Sequence, residues 1–220
     1  MSSSMRISNS AWRIVSRASS SRPILCTSGH HAPLPRPSHL ILAQRTATST
    51  SEPPSSTDPS FAKALRLLED GTRLIESGDV QGALEKYKES VNVKETSGGY
   101  FNLGVCEYTQ NNHPGAIKAW ERSIALTPSA DAYTNLASAY IMMKPPQAAL
   151  AIKHLTSALE LTPDDPEVAF NLAAILESTG NLEASLKMYE RAEKGGIERA
   201  GQNIRSVSAK ILAGSGSAQA

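Results

Sequence analysis

The sequence predicts an all-α fold: a right-handed helix-turn-helix solenoid of four repeats, closed by one further C-terminal helix. Three observations carry that expectation. Small and aromatic residues return about every 34 residues from Phe61 to Gly196, a spacing at which two-helix units repeat. Capping and turn residues fall at matching places between and within the repeats. Each stretch between those breaks has room for a helix of only about 12 to 16 residues, too short to be stable in water alone, so the helices must be held by stacking.

In chain order, the first 45 residues read as an address. Six of the 22 Lys and Arg residues (Arg6, Arg13, Arg17, Arg22, Arg36 and Arg45) lie before Glu52, in a stretch that has no Asp, Glu or Lys. It lacks the continuous apolar run of a secretory signal. Wound at about 100° per residue, Met5 to Arg17 gathers Arg6, Arg13 and Arg17 on one side and Ile7, Ala11, Ile14 and Val15 on another. A basic amphipathic start of this kind suits mitochondrial import, with the matrix as destination; plastid transit peptides share the composition but are less often amphipathic at their start. Cleavage is expected soon after Arg45, or at Arg22. Cys26, His30, His31 and His39 match no zinc-ligand spacing, so no metal is expected. Residues 46–60 are Ser, Thr and Pro with almost nothing apolar, a linker that cannot bury enough surface to order itself.

The repeats occupy residues 61–196. Asp58 before Pro59, Ser129 after Pro128, and Asp165 before Pro166 each put a capping side chain ahead of a helix. Within repeats, Gly78-Asp79 and Gly180-Asn181 end one helix in a left-handed residue and cap the next, a job done in the second copy by Asn112, His113 and Pro114. Gly71, Gly104, Ala137 and Ala173 are small where the two helices of a pair cross; Ala83, Ala116 and Ala151 are small where the next repeat presses on them. Tyr87, Trp120, Leu155 and Tyr189 fill the larger gaps, an aromatic stripe that reads as core. Cys106 packs as a small hydrophobe. Residues 197–213 form the capping helix, with Ile197, Ala200, Ile204, Val207 and Ile211 at helical spacing, and residues 214–220 are a small, polar tail.

These residues resemble the tetratricopeptide repeat, whose pattern runs W-x2-L-G-x2-Y, then A-x3-F, then P. Leu67, Gly71, Leu74, Ala83 and Tyr87 carry it in the first copy, and Tyr100, Leu103, Gly104, Ala116, Trp120 and Pro128 in the second. Leu136, Ala137, Tyr140, Ala151, Leu155, Ala158 and Pro163 match in the third, and Leu172, Ala173, Leu176, Tyr189 and Ala192 in the fourth. The second copy departs at Glu107, where an aromatic is usual, the fourth at Ser185 in place of alanine, and the third carries extra turn residues, Lys144-Pro145-Pro146-Gln147.

The resemblance implies a scaffold that binds a protein or peptide partner in a concave groove lined by the first helix of each repeat. Asn102, Asn135 and Asn171 recur just before the Leu-Gly or Leu-Ala of copies two to four, and an amide side chain can pair with the backbone of an extended peptide. They are expected on a solvated groove wall outside the core, with Glu69 in the matching place of the first copy. Phe101, Tyr108, Ile141, Met142 and Phe170, with Leu68 and Val105, are expected to add apolar surface beside them. The family's cationic clamp for acidic chaperone tails is not reproduced: its places hold Leu68, Thr72, Asp131 and Asn135, with only Asn102 matching.

Other classes find less support. Beyond residue 51 the chain carries 16 basic against 21 acidic residues, which argues against nucleic acid as the partner. No apolar run approaches the ~20 residues of an integral membrane segment. No phosphate loop, nucleophile elbow or HExxH motif occurs, and His113 and His154 have no acid or nucleophile partner by spacing, so neither catalysis nor a cofactor is expected. The alternative to a groove binder is a structural subunit of a larger organelle complex, held by its convex face and C-terminal helix.

Overall fold

The computed structural model describes residues 58–217, and among the described residues it contains nine α-helices and no strand. They are α1 (Pro59–Glu76), α2 (Val80–Val93), α3 (Ser97–Thr109), α4 (His113–Leu126), α5 (Ala130–Met142), α6 (Ala148–Leu161), α7 (Pro166–Ser178), α8 (Leu182–Lys194) and α9 (Ala200–Ser217). Each helix packs chiefly on its neighbours in the chain, so α1–α2, α3–α4, α5–α6 and α7–α8 form four antiparallel pairs and α9 covers α8.

The boundaries differ from expectation at both ends. The first helix starts at Pro59, because the Asp58 carboxylate accepts from the amides of Ser60 (3.0 Å) and Phe61 (3.4 Å) and the proline has no amide to leave unpaired. Hydrogen bonds from Ser60 and proximity to Lys94 hold that carboxyl down at about 2. At the other end, the chain leaves α8 through Gly196 (φ 98°). The Ile197 amide donates to the Ala192 carbonyl (3.0 Å), and the Ala200 amide returns to the Ile197 carbonyl (2.9 Å). Residues 197–199 are thus spent on a turn, and the last helix begins at Ala200 and runs through Ser217, past the expected end at 213. The proposed address, residues 1–45, and the linker up to residue 57 lie outside the described residues.

Three repeats turn in the same way. Gly78 (φ 89°), Asn111 (φ 61°) and Gly180 (φ 81°) occupy the left-handed position. The next amide reaches back five residues to close the first helix: Asp79 to Leu74 at 2.8 Å, Asn112 to Glu107 at 2.8 Å and Asn181 to Leu176 at 2.9 Å. Asp79 and Asn112 then cap the second helices, accepting from Gly82 and Gly115, whereas Asn181 makes no side-chain cap. In the third repeat the connection lengthens, as its extra residues predict, and the Gln147 amide closes on the Tyr140 carbonyl at 2.9 Å.

Packing explains the small residues. A Cβ on Gly71 would stand 2.6 Å from the Tyr87 ring, and one on Gly104 would stand 2.5 Å from the Trp120 indole. The bulk of the second helix therefore fits only over a bare backbone. Ala83, Ala116, Ala151 and Ala158 are wholly buried. Ser185, the departure from alanine in the fourth repeat, is equally buried and donates to the Ala173 carbonyl at 2.9 Å, which satisfies its hydroxyl. Ser90 and Ser123, seven residues beyond Ala83 and Ala116 and so at matching places in the first two repeats, also donate to carbonyls of their partner helices, those of Ala64 and Ser97. Cys106 packs with Ala83, Leu84 and Tyr87 of the preceding repeat, and that burial pushes its thiol up to about 12.

Candidate functional site

Helix geometry places the three asparagines. Each stands two residues before the small residue at the helix crossing, which at about 100° per residue turns it roughly 160° away from the second helix of its pair. Asn102 on α3, Asn135 on α5 and Asn171 on α7 therefore share one side of the stack, the side of the first helices, with Glu69 on α1 in line with them.

The depth of that side departs from expectation. Asn102 is only 2% exposed and Asn135 8%, while Asn171 is half-buried and Glu69 exposed. The asparagines of the two central repeats are thus embedded and not on a solvated wall. The reason is the packing of one repeat on the next: Phe101 and Val105 of α3 join Trp120 of α4 and Leu136 and Ile141 of α5 in one apolar cluster. Inside that crowd the Asn102 Oδ1 has no hydrogen-bond partner, and neither has the buried Oγ1 of Thr134, one residue before Asn135. Thr134 is a residue the sequence reading missed, since a lone hydroxyl inside a helix carries no distinguishing pattern.

The apolar candidates divide. Phe101, Ile141 and Phe170 are buried, so they serve packing instead of forming an open stripe. The Trp120 indole donates to the Phe101 carbonyl at 3.1 Å, fixing the α3–α4 pair. Tyr108 is half-buried against the rings of Trp120 (5.7 Å) and His113 (5.2 Å). Phe170 meets the edge of Tyr189, and the Arg199 guanidinium lies over its ring at 4.3 Å, so the turn before α9 covers it. Met142, 44% exposed, remains open, and Leu65 on α1 is a further exposed apolar residue that the sequence reading did not name.

The polar departures are structural. Glu107, buried on α3, accepts from Asn112 at 2.7 Å and faces Lys88 of the preceding repeat at 3.3 Å, a cross-repeat tie in place of the usual aromatic. Thr72 is held by the Leu68 carbonyl and lies 3.3 Å from the Tyr87 hydroxyl. His154 stacks on Tyr140 (5.4 Å, 4° between planes) and Tyr133 (5.9 Å), and the Tyr140 hydroxyl donates to Glu121. Burial, reinforced by Lys153, pulls the His154 imidazole below its ordinary value; burial and Lys144 do the same to His113. Among the described residues no group of three His, Cys, Asp or Glu side chains could hold a metal, and no helix is long and apolar enough to cross a membrane.

Comparison with known proteins agrees with the fold. A curated protein of Drosophila melanogaster, the BBSome complex member BBS4 homolog, is 30% identical over 141 residues, which are 62% of this chain. They are only 29% of that protein, so the chain spans less than a third of the relative's length. Among solved structures, MamA superposes with a TM-score of 0.61 at 24% identity, covering 66% of this chain and 80% of its own. YrrB, described as a TPR protein with an unusual peptide-binding site, gives 0.60 at 19% over 68% and 78%. The first TPR of Spaghetti (RPAP3), bound to an HSP90 peptide, gives 0.51 at 21% over 54% and 94%. At such identities these likenesses establish the fold. The model of the family described as Tetratricopeptide repeat matches residues 68–133 and 147–202, more than half of the chain. Four helix pairs repeating one turn geometry, and a family match running through both halves of the stack, lead to one conclusion: the chain belongs to the tetratricopeptide-repeat family.

Proposed function

We propose that this protein is a non-catalytic interaction module of mitochondria, working in the matrix as an adaptor, assembly or scaffold factor that holds a segment of a partner protein on the side of its first helices. One observation carries the reading. Asn102, Asn135 and Asn171 repeat in register on that side, and the Asn102 Oδ1 is left without a partner although the residue is only 2% exposed. An orphaned buried acceptor is destabilising by roughly 1 to 3 kcal/mol, so its retention is best accounted for by a donor that arrives with a ligand. The peptide-binding site named for YrrB and the peptide held by RPAP3 support the same use of the fold. The matrix assignment rests on the acid-free, Arg-rich leader alone.

The test is the triple substitution Asn102→Ala, Asn135→Ala and Asn171→Ala in the full chain. It is expected to keep its helical circular dichroism and to weaken binding of the partner that co-purifies from mitochondria by about 2 to 4 kcal/mol, from lost hydrogen bonds of roughly 0.5 to 1.5 kcal/mol each. Retention of the partner at wild-type affinity would sink the proposal.

A second reading has its own observation. Leu126 and Leu161 end α4 and α6 at corresponding places and are 38% and 48% exposed, and Leu212 on α9 is 72% exposed. These residues suit a subunit held by its outer face and last helix. If Leu126→Ala, Leu161→Ala and Leu212→Ala together release the partner while the asparagine variant keeps it, the outer face is the binding surface.

A further inference from the structure

The four first helices end alike. Each stops seven residues after the row formed by Glu69, Asn102, Asn135 and Asn171, at Glu76 on α1, Thr109 on α3, Met142 on α5 and Ser178 on α7. Seven residues at about 100° each fall only about 20° short of two full turns, so these last residues lie on the side of the asparagines. All four are exposed. Three are polar, and two of those return their hydroxyl to their own helix, Thr109 to the Val105 carbonyl at 2.8 Å and Ser178 to the Ile175 carbonyl at 2.8 Å. Met142 is the exception, an apolar side chain where packing asks for none, and it is 44% exposed.

Its surroundings in the chain are placed otherwise. Ile141 is buried, and Met143 is half-buried against the central apolar cluster. Met188 on α8 is half-buried against that cluster and the C-terminal one. Among the described residues Met142 is therefore the methionine most open to solvent. Leu65, four residues before Glu69 and so on the same side, is also exposed but has no sulfur.

An exposed thioether is open to oxidation. Its sulfur attacks one oxygen of hydrogen peroxide and the O–O bond breaks. The transferred oxygen passes its proton to the departing hydroxide, which leaves as water, and the sulfur, two electrons poorer, is left as a sulfoxide. Access of peroxide to sulfur governs the rate, so burial protects Met143 and Met188. The product carries a polar S=O group that accepts hydrogen bonds, and pressing it against an apolar surface strands that acceptor.

Resting on the groove reading above, we propose that Met142 is a redox modification site: hydrogen peroxide converts it to the sulfoxide in the folded protein, and the conversion weakens the hold of the first-helix side on its partner. The thioether form is the binding form. A sulfoxide reductase restores it, two thiols becoming a disulfide while the oxygen leaves as water.

The test begins with the purified full chain in hydrogen peroxide, sampled over time, digested and sequenced by tandem mass spectrometry, which separates Met142 from Met143. Met142 is expected to oxidise at least about fivefold faster than Met143 and Met188, with helical circular dichroism unchanged once Met142 is consumed. Equal rates for the three, or slower oxidation of Met142, overturn the modification site. In the second arm the full chain is immobilised and mitochondrial extract is passed over it, the readout being the bands that the parent holds and the triple asparagine variant loses. Peroxide treatment is expected to reduce those bands about tenfold, and Met142→Gln to reduce them as much without peroxide. Met142→Leu is expected to hold them with or without peroxide. That variant keeps Met1, Met5, Met143 and Met188, so its indifference assigns the effect to one sulfur. Equal loss from the oxidised parent and the oxidised Met142→Leu chain, or no loss from either, overturns the control of binding. If the triple asparagine variant holds every band that the parent holds, the groove reading fails and the control of binding with it, while the order of oxidation is still decided by the first arm.

Discussion

At the residue scale, the tightest constraint is the contact between a glycine and the aromatic residue sixteen positions on. Gly104 lies under Trp120, and a methyl there would stand 2.5 Å from the indole nitrogen. Helix propensity favours Gly104→Ala by about 1 kcal/mol, but overpacking a filled crossing opposes it by roughly 1 to 3 kcal/mol. The variant is expected to melt lower than the parent; a higher melting temperature would show that Trp120 can move aside. Asn102 offers the opposite case. Its Oδ1 makes no hydrogen bond, so Asn102→Leu, close in shape, is expected to raise stability by about 1 kcal/mol in denaturant unfolding while weakening partner binding. A loss of stability would mean that the amide is satisfied within the fold.

At the element scale, the phase of α4 can be checked with one pair of substitutions. Ala116 is wholly buried and Lys118 exposed two residues away. Ala116→Leu is expected to be destabilising by about 1 to 3 kcal/mol, and Lys118→Ala to change stability by less than about 0.5 kcal/mol. Equal shifts in melting would mean the helix is rotated from the orientation described. His113 on α4 and His154 on α6 carry a pH dependence. Burial lowers the affinity of His154 and His113 for a proton in the folded state, so the unfolded chain binds more protons just below the ordinary value of 6.5. The stability these groups contribute is complete above 6.5 and is lost as pH falls through their folded values. Melting temperature is expected to drop between about pH 7.5 and 5.5, and His154→Phe, which keeps a ring between Tyr133 and Tyr140, is expected to flatten that drop. An unchanged slope would place the titration elsewhere.

At the scale of the whole molecule, an N-terminal stretch with six Arg and no acid precedes a remainder in which acids outnumber bases. If residues 1–45 are an address, fused to a fluorescent protein they carry it into mitochondria, and Arg13→Glu with Arg17→Glu abolishes this; a processed protein still starting at Met1 or Ser2 would count against removal of the leader. The folded part is a one-dimensional stack in which each pair leans on the next. Its two ends are finished differently. The N-terminal end shows Arg66, Asp70 and Arg73 where inner repeats bury Leu103 and Cys106, and the C-terminal end is covered by Ala200 and Val207 of α9.

The sequence by itself determined the class of fold, the number of repeats, the small-residue crossings and most of the caps, Asn181 excepted, because these depend on local features that recur: a left-handed residue, a capping oxygen, an alanine or glycine at a fixed phase. Gly71, Gly104, Ala116, Asp58 and Asp165 were all legible in that way. Only the tertiary structure decided how deep each residue of the first-helix side lies. Helical phase says that Asn102, Asn135 and Asn171 face alike, but it carries no information on how closely neighbouring repeats approach. That approach buries Asn102 and Asn135, takes Phe101, Ile141 and Phe170 into the core, and leaves Met142 open. Burial is a property of the distances between elements, set by the summed packing of all the repeats, and no single repeat encodes it.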